Sequence, residues 1–409
     1  MKYIVILGDG MADYPVAELD EKTPLEVAFK PNIDNMAKRG ELGLVKTVPD
    51  HLNPPGSDIA NMSVLGYNPD EYYTGRSPLE AVSMGISMEE EDLAVRCNLV
   101  TLSDEPVYED KRMIDYSADE ISTEEAQELI LFLEKELGSD TMRLYPGISY
   151  RHCLIYRIPG GKISLQCTPP HDIAEKCIRN YLPAAPESAV LLDMMKKSYA
   201  LLSANPVNQA RIARGKRPAN SLWFWGEGRK PGLADFHKIR GLKGAVVSAV
   251  DLVKGLGICA GMEVISVPGA TGTIDTNFTG KAQAALDFLK NRGDFVYLHM
   301  EAPDECGHRH EVQNKVKSIE LIDEKVVGPI KEALDGLDDY RILVMPDHPT
   351  PLALRTHTHD AVPYLIYDSR YPEIRSGNQK YTEADAGNTG VYIGEGYTLM
   401  HRFLQEKDG

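Results

Sequence analysis

DFVYLHMEAPDECGHRH, residues 294–310, decides how the rest of the chain is read. Its apolar run, Phe295 to Leu298, has the composition of a strand buried in a parallel sheet, and it stops abruptly to deliver Asp304 and His308. Open α/β sheets bind ligands just beyond the carboxyl ends of such strands, so these two side chains stand where a ligand would. Their i,i+4 spacing puts both on one side of a helical turn, and Gly307 between them lets the backbone fold closely. A hard carboxylate beside a borderline imidazole suits zinc, manganese or a similar divalent ion. Taken alone, Asp-x-x-x-His describes a polar loop with a capping carboxylate equally well.

The arrangement recurs. In YRILVMPDH, residues 340–348, the apolar run Ile342 to Met345 leads straight into Asp347 and His348. Tyr3 to Leu7 ends in Gly8-Asp9-Gly10, a carboxylate flanked by glycines that permit close backbone approach. Thr356-His357-Thr358-His359-Asp360 precedes another apolar run, Val362 to Tyr367. Asp9, Asp304, His308, Asp347, His348 and one of His357 and His359 are too many ligands for one ion and about enough for two. Such a coincidence at strand ends argues against unrelated loop polars. In HLNPPGSDIA, residues 51–60, Ser57 precedes Ile59, Met62 and Leu65 at helical spacing. It is expected at a helix N-terminus, where free N–H groups and the dipole favour a phosphate; a plain capping serine has the same signature.

At 409 residues the chain exceeds what one core usually supports. We expect a core of residues 1–93 and 232–409 interrupted by an inserted α+β domain, 94–231, where a helix at Thr123–Leu137 alternates with strands at Arg151–Ile158 and Ile163–Gln166. In the core, Thr23-Pro24-x-Glu26 spells a helix start, and Glu311–Leu334 reads as one long amphipathic helix. The insertion carries Arg96, Arg143, Arg151, Arg179, Arg211, Arg214 and Arg217, guanidinium groups suited to carboxylate or phosphate. Trp223 and Trp225 read as packing. A net charge of −17 argues against nucleic acid or an anionic membrane as the main partner, yet metal ions and arginines can reverse the field in one cleft. The six cysteines contain no Cys-x-x-Cys pair and read as reduced, buried thiols of a cytoplasmic protein, Cys306 included. No apolar run is long enough for a signal sequence or a membrane helix.

Asp9, Pro31-Asn32-Ile33-Asp34, Ser57, Asp304-x-x-x-His308, Asp347-His348 and His357-Thr-His-Asp-Ala-Val-Pro363 together resemble the alkaline phosphatase superfamily. More narrowly, the chain resembles the archaeal-type cofactor-independent phosphoglycerate mutases over essentially its whole length. The resemblance implies an alkaline-phosphatase-like, doubly wound and mostly parallel α/β sheet, with the inserted domain as a cap that keeps water from the site. It implies one metal held by Asp304, His308 and His357, and a second held by Asp9, Asp347, His348 and the Ser57 oxygen. His357 is preferred over His359 because the His-x-x-x-x-Val-Pro spacing of the related enzymes matches it. Manganese is the first choice, with zinc, magnesium or cobalt as alternatives, and 2,3-bisphosphoglycerate is not needed. The implied activity is that of a glycolytic isomerase converting 3-phosphoglycerate to 2-phosphoglycerate through a phosphoserine on Ser57, with Arg96, Arg151, His152 and Lys254 as grips on the small phosphorylated substrate. A homoserine kinase-like activity is the alternative. The chain has no Gly-x-x-x-x-Gly-Lys-Ser/Thr loop, and the sulfatase signature is missing around Ser57.

Overall fold

The computed structural model describes residues 1–158, 165–337, 339–375 and 379–405. The strands are β1 (Lys2–Gly8), β2 (Glu41–Val45), β3 (Asp92–Leu102), β4 (Met113–Asp115), β5 (Met142–Tyr145), β6 (Arg151–Arg157), β7 (Ser221–Arg229), β8 (Gly244–Val247), β9 (Glu263–Ile265), β10 (Phe295–Met300), β11 (Tyr340–Met345), β12 (Val362–Asp368) and β13 (Tyr392–Ile393). They fall into two units, Met1–Tyr73 with Gly232–Gly409, and Thr74–Pro231.

The first unit is built on an eight-stranded sheet in the order β13-β2-β12-β11-β1-β10-β8-β9. β1 pairs in parallel with both β10 and β11, and β8 and β9 continue the parallel set. In β1, Ile4 and Ile6 face one apolar cluster while Val5 and Leu7 point the other way, and all four are buried. Burial on both faces is why these strands read as unbroken apolar runs. β12 runs antiparallel to β11 and β2. That reversal has a functional consequence: the residues entering β12 lie at the same edge as those leaving β1, β2, β10 and β11, so His357 and Ser57 arrive where Asp9, Asp304 and Asp347 already are.

Two local features tie this edge together. Thr23 and Glu26 form the expected capping box at the start of the helix Pro24–Val27. The expected long helix breaks into Val312–Ile322, a π-helical turn Asp323–Val327 and Gly328–Leu334. Pro329 explains the break, since it lacks an N–H and its ring displaces the carbonyl one turn earlier. The turn presents the Asp323 carboxylate to Asn32 N at 3.3 Å and Ile33 N at 2.7 Å, capping the helix Pro31–Ala37, whose own N-cap, Lys30, makes no side-chain cap bond. Pro31-Asn32-Ile33-Asp34 is thus a packing element here.

Beneath the edge, Lys315 is fully buried. Its Nζ lies 2.6 Å from Asp13 Oδ2 and donates to Thr350 O at 2.8 Å, joining the loop after β1 to the loop after β11. Removing one partner of such a pair strands a buried charge, so Lys315→Ala should cost about 3–5 kcal/mol, read from urea unfolding midpoints. A loss under about 1 kcal/mol would mean that Asp13 is neutralised or solvated without the lysine.

The second unit is an antiparallel sheet, β4-β3-β6-β5 with β7 on the other side of β3. Trp223 is wholly buried in its core, with the helices Thr123–Leu137 and Ala189–Ser203 contributing to the same cluster. Residue 94 falls inside β3, and the unit begins at Thr74, because the helix Ser77–Ser83 packs on β3 and β7. The expected strand Ile163–Gln166 lies partly outside the described residues. Among the described residues, no helix is long and apolar enough to cross a membrane.

Candidate functional site

Asp9 follows β1 directly. Its neighbour Gly10 adopts φ +63°, and a Cβ there would lie 2.8 Å from Asp304 Cα. A Cβ on Gly307 would lie 2.6 Å from Thr350 O. Both glycines therefore let the helix Ala302–His308 sit hard against the neighbouring loops, bringing Asp304 into the cluster.

One expected group of ligands, Asp304, His308 and His357, is brought together here. Asp304 Oδ2 lies 3.3 Å from His308 Nε2, and Oδ1 lies 3.3 Å from His357 Nε2. The two Nε2 atoms are 2.9 Å apart. His308 Nδ1 faces Arg355 O at 2.9 Å and His357 Nδ1 faces Pro55 O at 3.2 Å, so each Nδ1 carries the proton and donates it. Each Nε2 is thereby turned toward the carboxylate, where on deprotonation its lone pair would meet a cation, the arrangement of a site whose ligands are oriented by backbone carbonyls. Burial alone would raise the Asp304 carboxyl, but its bonds to His308 and His357 outweigh this and hold it well below the usual range. The Asp304 carboxylate correspondingly raises His308 to about 9.

A second group surrounds Ser57. Ser57 is the first residue of the helix Ser57–Val64; Gly56 is the N-cap, and no side-chain cap bond is made there. The hydroxyl is instead 3.0 Å from His348 Nε2, which is 3.5 Å from Asp9 Oδ1 and 3.4 Å from Asp347 Oδ2. Asp347 Oδ1 accepts from Gly10 N and His348 N, and Oδ2 accepts from Asn61 Nδ2 at 2.7 Å. Asp9 Oδ1 is buried with no hydrogen-bond partner among the described residues. Burial, then the Asp347 and Asp304 carboxylates, push Asp9 well above the usual range. An orphaned carboxylate oxygen among imidazoles, a hydroxyl and other acids is a donor set that fits a divalent cation.

By proximity alone the ligand atoms sort into Asp304, His348 and His357, and Asp9, His299 and Asp347. His348 lies between the two expected sets, its ring stacked on His357 at 3.8 Å between centroids. His359 Nε2 sits 2.9 Å from Leu52 O, and burial pushes the Cys306 thiol up to about 12, in keeping with packing. Sequence reasoning missed three partners. Asn61, one turn after Ser57, donates to Ser57 O at 2.8 Å as well as to Asp347, and takes a bond from the buried Tyr297 hydroxyl at 2.6 Å. His299, on β10, lies 3.0 Å from Asp9 Oδ2. The available signal was strand alternation, which puts Tyr297 and His299 on one face at the strand's exit.

The substrate-gripping candidates differ in what they have left to offer. In the second unit Arg96 is bonded to Glu80 and lies over the Trp225 ring at 4.5 Å. Arg143, Arg179, Arg211, Arg214 and Arg217 are each paired with a carboxylate. Arg151 donates to the Tyr150 hydroxyl at 2.9 Å and has no carboxylate partner among the described residues. In the first unit Lys254 lies 3.2 Å from Asp251 Oδ1. His152 is buried in β6, its Nδ1 accepting from Gly147 N at 3.0 Å while Nε2 has no partner among the described residues. Burial pushes its imidazole down to about 3. The unfolded chain then takes up a proton that the folded one refuses. Its stabilising effect is complete above the ordinary histidine value, roughly 6.5, and is lost as pH falls from there toward the folded value, at up to about 1.4 kcal/mol per pH unit. His152→Asn should flatten that acid limb in urea midpoints measured against pH. An unchanged limb would show that His152 titrates normally.

Residues 37–208 match the sequence model of a family described as 2,3-bisphosphoglycerate-independent phosphoglycerate mutase. A probable 2,3-bisphosphoglycerate-independent phosphoglycerate mutase of Geobacter sulfurreducens is 48% identical over 404 residues, covering 99% of this chain and 100% of that one. The Methanosarcina barkeri protein of the same description is 51% identical over 368 residues, 90% of each chain. Among solved structures, a protein from Pyrococcus horikoshii aligns with a TM-score of 0.81 at 30% identity, covering 100% of this chain and 98% of that one. A cofactor-independent phosphoglycerate mutase from Thermoplasma acidophilum aligns with a TM-score of 0.69 at 27% identity, covering 99% of both.

Proposed function

The chain belongs to the 2,3-bisphosphoglycerate-independent phosphoglycerate mutases, a family of isomerases, and we propose that it interconverts 3-phosphoglycerate and 2-phosphoglycerate through a phosphoserine on Ser57. The observation that carries the serine's role is the position of its hydroxyl, 3.0 Å from His348 Nε2 and not engaged in capping its helix. Asp304, His308 and His357 would hold one divalent cation and Asp9, Asp347, His348 and Ser57 a second. Bound there, the cations, with manganese the first candidate, would lower the pKa of the serine hydroxyl and offset charge on the equatorial phosphoryl oxygens.

The protein's own groups do the rest. Asn61 anchors the Ser57 carbonyl and the Asp347 carboxylate together, so nucleophile and ligand keep one geometry. Ser57 Oγ forms the bond to phosphorus as the bond to the 3-oxygen of the substrate breaks; the bound glycerate then takes the phosphoryl group back on its 2-hydroxyl, freeing Ser57. Arg151 and the His152 Nε2–H in the second unit are the side chains we assign to anion binding, whereas Arg96 is already committed to Glu80 and Lys254 lies beside Asp251.

The test is a manganese-replete assay of the purified protein on 3-phosphoglycerate, run beside homoserine plus ATP. Formation of 2-phosphoglycerate without a nucleotide is the expected result. Phosphorylation of homoserine in the absence of mutase turnover would replace this reading with a kinase.

A further inference from the structure

Ser248 has no part in the ligand sets above and His299 enters one only by proximity, yet both sit in an unbroken hydrogen-bonded line to Asp9. Val250 N–H donates to Ser248 Oγ at 3.0 Å, Ser248 Oγ is 3.2 Å from His299 Nδ1, and His299 Nε2 is 3.0 Å from Asp9 Oδ2. Lys281 Nζ donates to His299 O at 3.1 Å, fixing the backbone at the same point. His299 and Ser248 are buried, so every proton in the line has to be placed within the protein.

Only one neutral tautomer accounts for all of them. Because Ser248 Oγ accepts from Val250, its own proton is free to go to Nδ1, which leaves the histidine proton on Nε2, aimed at Asp9 Oδ2. With the proton on Nδ1 instead, Ser248 Oγ would receive two N–H groups and its hydroxyl proton would have no acceptor among the described residues. With a cation on Asp9, as the reading above requires, Asp9 has no proton to give, and the Nε2 lone pair would then face a bare carboxylate oxygen. A doubly protonated ring also donates from Nε2. Asp9 therefore has one oxygen taken and one, Oδ1, buried and free.

We infer that His299 is a positioning residue, set by Ser248, whose Nε2–H occupies Asp9 Oδ2 and commits Asp9 to hold its cation through Oδ1 alone. This rests on the reading of Asp9 as a cation ligand given above. It contrasts with direct ligation by His299, which the proximity of Asp9, His299 and Asp347 also permits. A carboxylate shared between a histidine N–H and a cation has its lone pairs and its orientation fixed, which is how outer-shell partners raise metal affinity.

The experiment is a calorimetric Mn²⁺ titration of the metal-free full chain, comparing wild type with His299→Gln, His299→Leu and Ser248→Ala. Glutamine keeps an N–H donor near the position of Nε2 but is a poor ligand, and leucine keeps neither property. His299→Gln should bind two ions within a few-fold of wild type, whereas His299→Leu should weaken one of the two by about 10–100-fold, with Ser248→Ala in between. Equal loss in His299→Gln and His299→Leu would make His299 a ligand, and undiminished binding in His299→Leu would remove any role for it. Should the leucine variant fail to fold, the ¹⁵N shifts of His299 in the Mg²⁺-loaded wild type decide the matter: a protonated Nε2 supports the inference, and an Nε2 bound to the ion overturns it. A wild-type chain that binds no divalent ion would instead defeat the two-cation reading itself, a result distinct from any difference between variants.

Discussion

Replacing Ser57 by alanine is expected to abolish phosphoryl transfer while leaving the fold nearly untouched. The two halves of this expectation come from different observations. Loss of transfer follows from the hydroxyl's place beside His348, Asp9 and Asp347, where no other hydroxyl of that helix's first turn competes for it. Near-normal stability follows from the helix end. Losing a capping serine costs roughly 0.5–2 kcal/mol, but Gly56 is the N-cap here and Ser57 makes no cap bond, so Ser57→Ala should fall below that range. Turnover and urea midpoints measured on one preparation separate the two. Peptide mass spectrometry of wild type quenched during turnover should find phosphate on Ser57 alone. Near-normal turnover in the alanine variant would mean that a substrate hydroxyl or water accepts the phosphoryl group directly.

How much of this was legible in the sequence depends on which residues carry their signal locally. Asp9, Asp304, Asp347 and His348 each follow an apolar run, and the parallel sheet carries those runs to one edge, so period and position sufficed. The alternation of buried strands was equally plain. What could not be read were partners supplied by other elements. Asp323 caps a helix nearly three hundred residues away in the chain, and nothing near Pro31 announces it. Asn61 is, in the sequence, one more polar residue on a helix; its role comes from Asp347 and Tyr297, which the fold places around it. His299 was hidden because it completes a strand whose other residues are apolar, where an imidazole passes for filler. The arginines of the insertion failed differently: their number was visible, but most are matched to a carboxylate, which only the fold reveals.

Chelation should have the second large effect, on both turnover and stability. Asp9, Asp304 and Asp347 are buried close together, and burial with the two neighbouring carboxylates pushes Asp9 well above the usual range, a repulsion that a bound cation would relieve. A ligand that binds only the folded chain stabilises it by RT ln(1 + [L]/Kd), about 4 kcal/mol per site at a thousandfold excess over Kd. Metal-free protein should accordingly be inactive and should unfold at a clearly lower temperature, with both properties restored by Mn²⁺. The size of the shift should depend on pH in a determined direction. His308 Nε2 and His357 Nε2 converge at 2.9 Å on the place the cation would take, so any proton held there must leave before the ion can bind. Because the Asp304 carboxylate holds His308 up at about 9, raising the pH toward that value strengthens cation binding, and the gap in melting temperature between loaded and chelated protein should widen from about pH 7 to about pH 9. A gap that narrows over that span would place the ion away from these histidines, and full turnover in chelator would leave Ser57 to be activated by His348 alone.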